Sequence, residues 1–154
     1  MKYIEGDLIL LAKNGKFDLI VHGCNCFNTM GAGIAKMIKD NFIGAWKADQ
    51  KTKKGDRSKL GNYTSYIKSQ NDNTLRIINA YTQYTYGGKS PVDYDAIREC
   101  FKKINSRYKG KKVGIPKIGA GLAGGNWKQI EKIIDEETKD LKLTCVIYNK
   151  KISI

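Results

Sequence analysis

The stretch Val21-His22-Gly23-Cys24-Asn25-Cys26-Phe27-Asn28-Thr29-Met30-Gly31-Ala32-Gly33-Ile34-Ala35 begins at the end of the apolar run Leu19-Ile20-Val21 and leads into an amphipathic segment. A second stretch, Ile118-Gly119-Ala120-Gly121-Leu122-Ala123-Gly124-Gly125-Asn126-Trp127, follows Val113-Gly114-Ile115-Pro116 and does the same. A strand delivered into a glycine turn that opens a helix aims backbone N–H groups and the positive helix end at one point, which holds phosphate without basic side chains. Two such turns in one small domain point to a ligand with two linked phosphates. Neither continues as a Walker loop with Gly-Lys-Ser/Thr, and the first does not continue as Gly-x-Gly-x-x-Gly, so kinase-type and dehydrogenase chemistry are disfavoured.

Outward from these turns, strand-like and helix-like patterns alternate without repeats or low-complexity linkers. Strands are expected at 2–5, 19–23, 62–69, 75–81, 112–116 and 143–148. The pair 62–69 and 75–81 is expected to form a hairpin turning at Asn71-Asp72-Asn73. Helices are expected at 34–42, 45–54, 91–108 and 127–138, with Ser90 or Asp93 as the cap of the third and Ile130, Ile133 and Ile134 inward on the last. This pattern predicts one α/β domain spanning 1–154, a three-layer α/β/α sandwich on a mixed sheet of about six strands. In such sheets ligands lie beyond the carboxyl ends of the strands, where both glycine turns fall.

At 154 residues the chain is long enough to bury roughly 70% of its unfolded surface without a disulfide framework. Its four cysteines, Cys24, Cys26, Cys100 and Cys145, are scattered, and with a single histidine they make a poor zinc site, so reduced structural thiols are expected. Neither a metal nor a cofactor is expected. The longest uncharged apolar run, 8–12, is far short of a membrane span, and the expectation is a cytoplasmic monomer with no membrane partner. Lys and Arg number 28 against 15 Asp and Glu, a formal charge of +13. The lysines cluster at 47–59 and 102–112, as solvated faces or as an attraction for an anionic ligand or polymer.

Side chains beside the turns supply the candidate chemistry. His22, Asn25 and Asn28 carry groups suited to ribose hydroxyls; Asn25 can equally brace its own loop, and His22 can be a packed residue. Asp7, in Gly6-Asp7-Leu8 after the first strand, can cap a turn or accept from an exocyclic amine such as adenine N6. Tyr148 and Asn149 end the last strand and either flank a base or belong to the core. Tyr81-Thr82-Gln83-Tyr84-Thr85-Tyr86-Gly87-Gly88-Lys89 is an aromatic loop, a stacking lid or a run of surface tyrosines.

Taken together, Tyr3-Ile4-Glu5-Gly6-Asp7-Leu8, Ile20-Val21-His22-Gly23-Cys24-Asn25, Met30-Gly31-Ala32-Gly33-Ile34-Ala35 and Pro116-Lys117-Ile118-Gly119-Ala120-Gly121-Leu122-Ala123-Gly124-Gly125-Asn126-Trp127 resemble a macro domain, the ADP-ribose-binding module, over nearly the whole chain. The resemblance implies that Asp7, with Leu8 beside it, holds the adenine amine and that Asn25 contacts the distal ribose. It also implies that two loops embrace the diphosphate and distal ribose: Gly31, Ala32, Gly33 and Ile34 on one side, Gly119, Ala120, Gly121, Leu122, Ala123 and Gly124 on the other.

His22 stands where many macro domains have asparagine, and in this the chain is similar to the small stand-alone ADP-ribose-1″-phosphate phosphatases. A neighbouring branch that removes ADP-ribose from glutamate or DNA bases uses a lysine and an aspartate at positions that are Gln83 and Ala123 here. The resemblance therefore implies a phosphatase on ADP-ribose-1″-phosphate, with His22 and Asn25 catalytic and the N–H groups of Gly119, Ala120 and Gly121 steadying the phosphoryl oxygens. On that expectation His22→Ala abolishes phosphate release and keeps ADP-ribose binding. The alternatives are a non-catalytic ADP-ribose reader and a hydrolase of ADP-ribosylated protein or nucleic acid.

Overall fold

The computed structural model describes residues 1–70, 72–87 and 92–149. In chain order the elements are β1 (Lys2–Gly6), α1 (Leu8–Lys13), β2 (Leu19–Cys24), α2 (Gly33–Asn41), α3 (Ile43–Gln50), a 3-10 turn (Arg57–Lys59), β3 (Tyr63–Gln70), β4 (Asn73–Tyr81), α4 (Tyr94–Arg107), β5 (Lys112–Ile115), α5 (Trp127–Glu137) and β6 (Lys142–Tyr148). The strands form a single six-stranded sheet ordered β1-β6-β5-β2-β4-β3. β3 runs antiparallel to β4, as the hairpin requires, and the other neighbours pair in parallel. The expected mixed α/β sandwich is the observed one.

Helices cover both faces because the strands are apolar on both. One core layer joins Leu19, Val21, Ile78 and Ile115 to Ile97, Phe101 and Ile104 of α4 and Ile130 and Ile134 of α5. The other joins Ile20, Leu75 and Ile77 to Leu8 and Ala12 of α1, Ile38 of α2 and Ala45 of α3. Successive β2 residues alternate between these layers, the period-two consequence of strand geometry. Each fully buried Ile or Leu contributes roughly 1.5–3 kcal/mol, so the sheet is a rigid base for whatever its carboxyl edge carries.

Three local outcomes differ from the sequence expectation. A short helix, α1, follows β1 because Asp7 caps it: its Oδ1 accepts from the N–H groups of Ile9 at 2.9 Å and Leu10 at 3.2 Å, while Leu8, Ile9 and Ala12 are buried. The lysine-rich helix stops at Gln50 rather than residue 54, where Thr52 donates through its backbone and its hydroxyl to the Asp49 carbonyl. α4 begins at Tyr94 because Asp93, of the two possible caps, accepts from the Ala96 N–H at 2.9 Å. Asn71 of the hairpin turn, Gly88 and Lys89 of the aromatic loop, Ser90 and Pro91 lie outside the described residues. Among the described residues no helix is long and apolar enough to cross a membrane.

Candidate functional site

The site is opened by a divergence in the sheet. β2 and β5 are neighbours, yet they pair only at Leu19↔Val113 and Ile20↔Gly114. β2 then continues to Cys24 against β4, and β5 stops at Ile115 against β6. Pro116, with no N–H to offer, ends the ladder. The loop after β2 leads to α2 on one face and the loop after β5 to α5 on the other. The crevice between them is the position where open α/β sheets bind ligands.

Two cavities occupy this crevice and share Gly33, Ile34 and Pro116. The narrower, about 370 Å³, is lined by Asp7, Leu8, Ile9, Ile34, Met37, Val146 and Tyr148 as well. The wider, about 740 Å³, lies between Asn25, Thr29, Gly31 and Ala32 on one loop and Lys117, Gly119, Gly121, Leu122 and Ala123 on the other, with Gln83, Tyr86 and Gly87 along a further wall. No Asp, Glu or His lines this wider chamber among the described residues. Lys117 is the cation among its described lining residues.

At the join the chain offers backbone donors. Ala32 is the N-cap of α2 and gives it no side-chain hydrogen bond, so the first-turn N–H groups of Gly33, Ile34 and Ala35 have no acceptor among the described residues. Opposite them, Gly124 donates to the Gly121 carbonyl at 3.1 Å and Gly125 to that of Gly119 at 2.7 Å, folding the second loop on itself. This leaves the N–H groups of Gly121, Leu122 and Ala123 without protein acceptors among the described residues. Gly33 has φ +58°, a backbone that side chains resist, and a Cβ on Gly121 would project into open space. Unsatisfied donors on the two loops that wall one cleft suit an anion.

The Macro domain family model matches residues 21–134. This chain belongs to the macro domain family. It is 37% identical over 151 residues, 95% of each chain, to a protein of Enterobacteria phage T4 described as an uncharacterized 17.5 kDa protein in the tk-vs intergenic region. It is 31% identical over 166 residues to an ADP-ribose 1″-phosphate phosphatase of Debaryomyces hansenii, covering 88% of this chain and 93% of that one. Among solved structures, a Bacteroides thetaiotaomicron protein of unknown function superposes with a TM-score of 0.76 at 27% identity, covering 95% of this chain and 96% of that one.

Within this macro domain the expected side chains divide sharply. Asp7, Leu8, Ile34 and Tyr148 line the narrow chamber; Asn25, Gly31, Ala32, Gly119, Gly121, Leu122 and Ala123 line the wide one, and Gly33 and Ile34 belong to both. Asn25 reaches the chamber with its amide already committed: Nδ2 donates to the Thr29 carbonyl and hydroxyl, at 3.1 and 2.7 Å, and Oδ1 accepts from the Phe27 N–H at 2.8 Å. It braces the loop. Ala120, Gly124 and Asn149 are not among the lining residues; the Ala120 N–H is spent on the Lys117 carbonyl at 3.2 Å, and the Asn149 N–H on the Gly6 carbonyl at 2.8 Å.

His22 and Asn28 depart further from expectation. The His22 ring is fully buried, with Nε2 2.6 Å from Asn79 Oδ1; Asn79 in turn donates to the Ala45 carbonyl and Thr64 Oγ1. Burial pushes the imidazole pKa down from 6.5 to about 4, against the opposing pull of the Asn79 hydrogen bond. It is a neutral ring under α3, where strand alternation sends it, and it does not line the chamber. Asn28 has φ +60° and is held away from the cleft, donating to the Thr52 carbonyl and accepting from Lys59 Nζ at 2.7 Å.

The sequence reading passed over Met37, Val146, Thr29 and Lys117 as lining residues, and named Tyr86 only as part of the aromatic loop. It also passed over Thr82, whose buried Oγ1 lacks a partner among the described residues and would lie 2.7 Å from a Cβ on Gly23. Met37 shares a helix side with Ile34 and Ile38 by its spacing, and only the structure shows it 44% exposed at the chamber wall.

Proposed function

We propose that this macro domain binds ADP-ribose along the two chambers and releases the phosphate of ADP-ribose 1″-phosphate in the wider one. The observation that carries the reading is the continuity of the chambers at Gly33, Ile34 and Pro116, where the first turn of α2 has unsatisfied N–H groups, with those of the second loop in the adjoining wall of the wide chamber. Adenine lies among Leu8, Ile34, Met37 and Val146, with the Asp7 carboxylate accepting from its amine; among the described residues the Asp7 cap bonds fall on Oδ1 alone. The diphosphate occupies the join, and the distal ribose extends into the wide chamber. The identity to a chain named for this phosphatase activity supports the reaction.

With His22 enclosed and neutral, the reaction is assigned to electrostatics. A water oxygen bonds to phosphorus and the bond from phosphorus to the ribose 1″ oxygen breaks. That oxygen leaves with a proton derived from the water, giving ADP-ribose and inorganic phosphate. Lys117 and the Gly121 N–H oppose the charge on the phosphoryl oxygens; one such preorganised donor is commonly worth about 10²–10³ in rate. The absence of Asp, Glu and His from the described wall of the wide chamber favours a second reading, a non-catalytic ADP-ribose reader. A phosphate-release assay on ADP-ribose 1″-phosphate, run beside calorimetry with ADP-ribose, separates them. Release by the wild type that drops at least tenfold in Lys117→Gln supports the phosphatase; tight binding without release establishes the reader.

A further inference from the structure

The wide chamber ends against a surface of a different character. Tyr86, which lines it, is 60% exposed and packs edge-on to Phe27 at 6.3 Å between ring centroids, and Phe27 packs edge-on to Tyr84 at 5.0 Å. The basic segment 51–59 is bonded directly to this aromatic group. The Gly55 N–H donates to the Cys26 carbonyl at 2.7 Å, the Tyr84 hydroxyl donates to the Gly55 carbonyl at 2.9 Å, and the Arg57 guanidinium lies 3.8 Å from the centre of the Tyr84 ring. Lys51, Lys53, Lys54 and Arg57 are exposed here. The single acid of the segment, Asp56, is turned onto Ser58, accepting from its N–H at 2.9 Å and its hydroxyl at 2.8 Å.

We infer that this surface is a binding track for single-stranded nucleic acid, running from the mouth of the wide chamber across segment 51–57. Exposed cations placed beside stackable rings are the combination that holds an unpaired strand, since phosphates meet the cations and bases stack on ring faces. Arg57 lies over the Tyr84 ring, which holds the cation beside the aromatic group and leaves Tyr86 as its exposed ring. A rigid duplex keeps its base faces covered and gains only the charge. An acidic peptide likewise gains the charge and leaves the rings idle. The surface stands independently of the function proposed above; only its use, leading a nucleic-acid-linked ADP-ribose toward the cleft, rests on the ADP-ribose-binding part of that reading.

The test is fluorescence anisotropy with an unmodified single-stranded oligonucleotide, its duplex and polyglutamate as probes. The protein variants are the wild type, Lys51→Gln/Lys53→Gln/Lys54→Gln, Tyr86→Ala, and a control of equal charge change, Lys102→Gln/Lys109→Gln/Lys111→Gln, in the other lysine cluster. The wild type is expected to prefer the single strand to both other probes. The first triple variant loses at least tenfold in affinity, with a salt slope shallower by about two, given roughly 0.7 per phosphate contact. Tyr86→Ala loses about fivefold for the single strand, and the control changes less than threefold. Equal losses in the two triple variants, equal or tighter binding of duplex or polyglutamate, or no binding of the single strand at all would overturn the inference. Calorimetry with ADP-ribose on the first triple variant is expected to match the wild type, and that result depends on the cleft alone.

Discussion

The narrow and wide chambers are built from different parts of the chain. Around the narrow one, side chains on regular elements form the wall: Leu8 and Ile9 on α1, Ile34 and Met37 on α2, Val146 and Tyr148 on β6. Around the wide one, the wall is largely the backbone of two loops, and its most exposed apolar residue, Leu122 at 77%, stands on the second of them. On the proposed reading the first chamber selects by shape and one carboxylate, and the second by N–H groups that only small residues leave accessible. The two loops also differ from each other. α5 is capped by its own Asn126, which accepts from the Gln129 N–H at 3.2 Å, whereas α2 has no side-chain cap. On that reading the helix-end contribution to anion binding comes from α2, and the second loop contributes turn amides.

The sharpest way to break this contrast is Gly121→Val. With nothing within 4 Å of its Cβ position, the substitution is expected to leave the melting temperature within about 2 °C. It intrudes on the wide chamber, which Gly121 lines, and ADP-ribose affinity by calorimetry is expected to fall about 100-fold, equivalent to losing two hydrogen bonds to a charged group. A variant that binds normally would show that the second loop is not a wall of the ligand site.

Acid is expected to act beneath the wide chamber. Unfolding returns His22 from about 4 to its ordinary 6.5, so between those values the unfolded chain takes up a proton that the folded one excludes. The His22 contribution is complete above that window and declines as pH falls through it, by about 2 kcal/mol between pH 7 and pH 5. Asp49, raised by burial, acts in the opposite sense at the acid end. Urea unfolding of wild type and His22→Gln isolates the histidine: the wild type loses this increment relative to the variant, and parallel pH profiles contradict the buried neutral ring. His22→Ala, leaving Asn79 Oδ1 unpaired in a buried site, costs roughly 2–4 kcal/mol of stability, so any loss of phosphate release in it is read together with its fold.

Smaller effects sharpen the narrow chamber. Asp7→Asn keeps the α1 cap, because asparagine caps as well as aspartate, and replaces a second acceptor with a donor. Affinity for ADP-ribose is expected to fall about tenfold while the hypoxanthine analogue, whose ring presents an acceptor, is favoured instead. Asp7→Ala loses about 1 kcal/mol of stability as well. Met37→Ala removes apolar contact only and costs about threefold in affinity. Unchanged binding in both Asp7 variants would move adenine out of this chamber.

Much of the fold was legible because its signals are local. The strand periods, the hairpin and the inward Ile130, Ile133 and Ile134 needed no tertiary knowledge, and the sheet edge carrying both glycine turns followed from their order. α1 was missed because its six residues are too few to show a helical period, though the Asp7 cap was in view. The course of the two loops along the cleft was legible, since glycines announce where a chain must leave space, though Ala120 and Gly124 do not line it. His22 and Asn28 were not. A histidine at a strand end points into one layer or the other according to register, and here it shares its side of β2 with buried Cys24 and faces Asn79. Asn28 carries the positive φ that asparagine tolerates, and Lys59, 31 residues away, decides what its amide does.

The most direct test of the account is an ¹H–¹⁵N NMR titration of the wild-type protein with ADP-ribose. Saturable shifts are predicted at the amides of Gly33, Ile34 and Ala35 and at those of Gly121, Leu122 and Ala123, with smaller ones at Ile9 and Tyr148. Shifts confined to one loop, or none that saturate, would contradict a clamp formed by both.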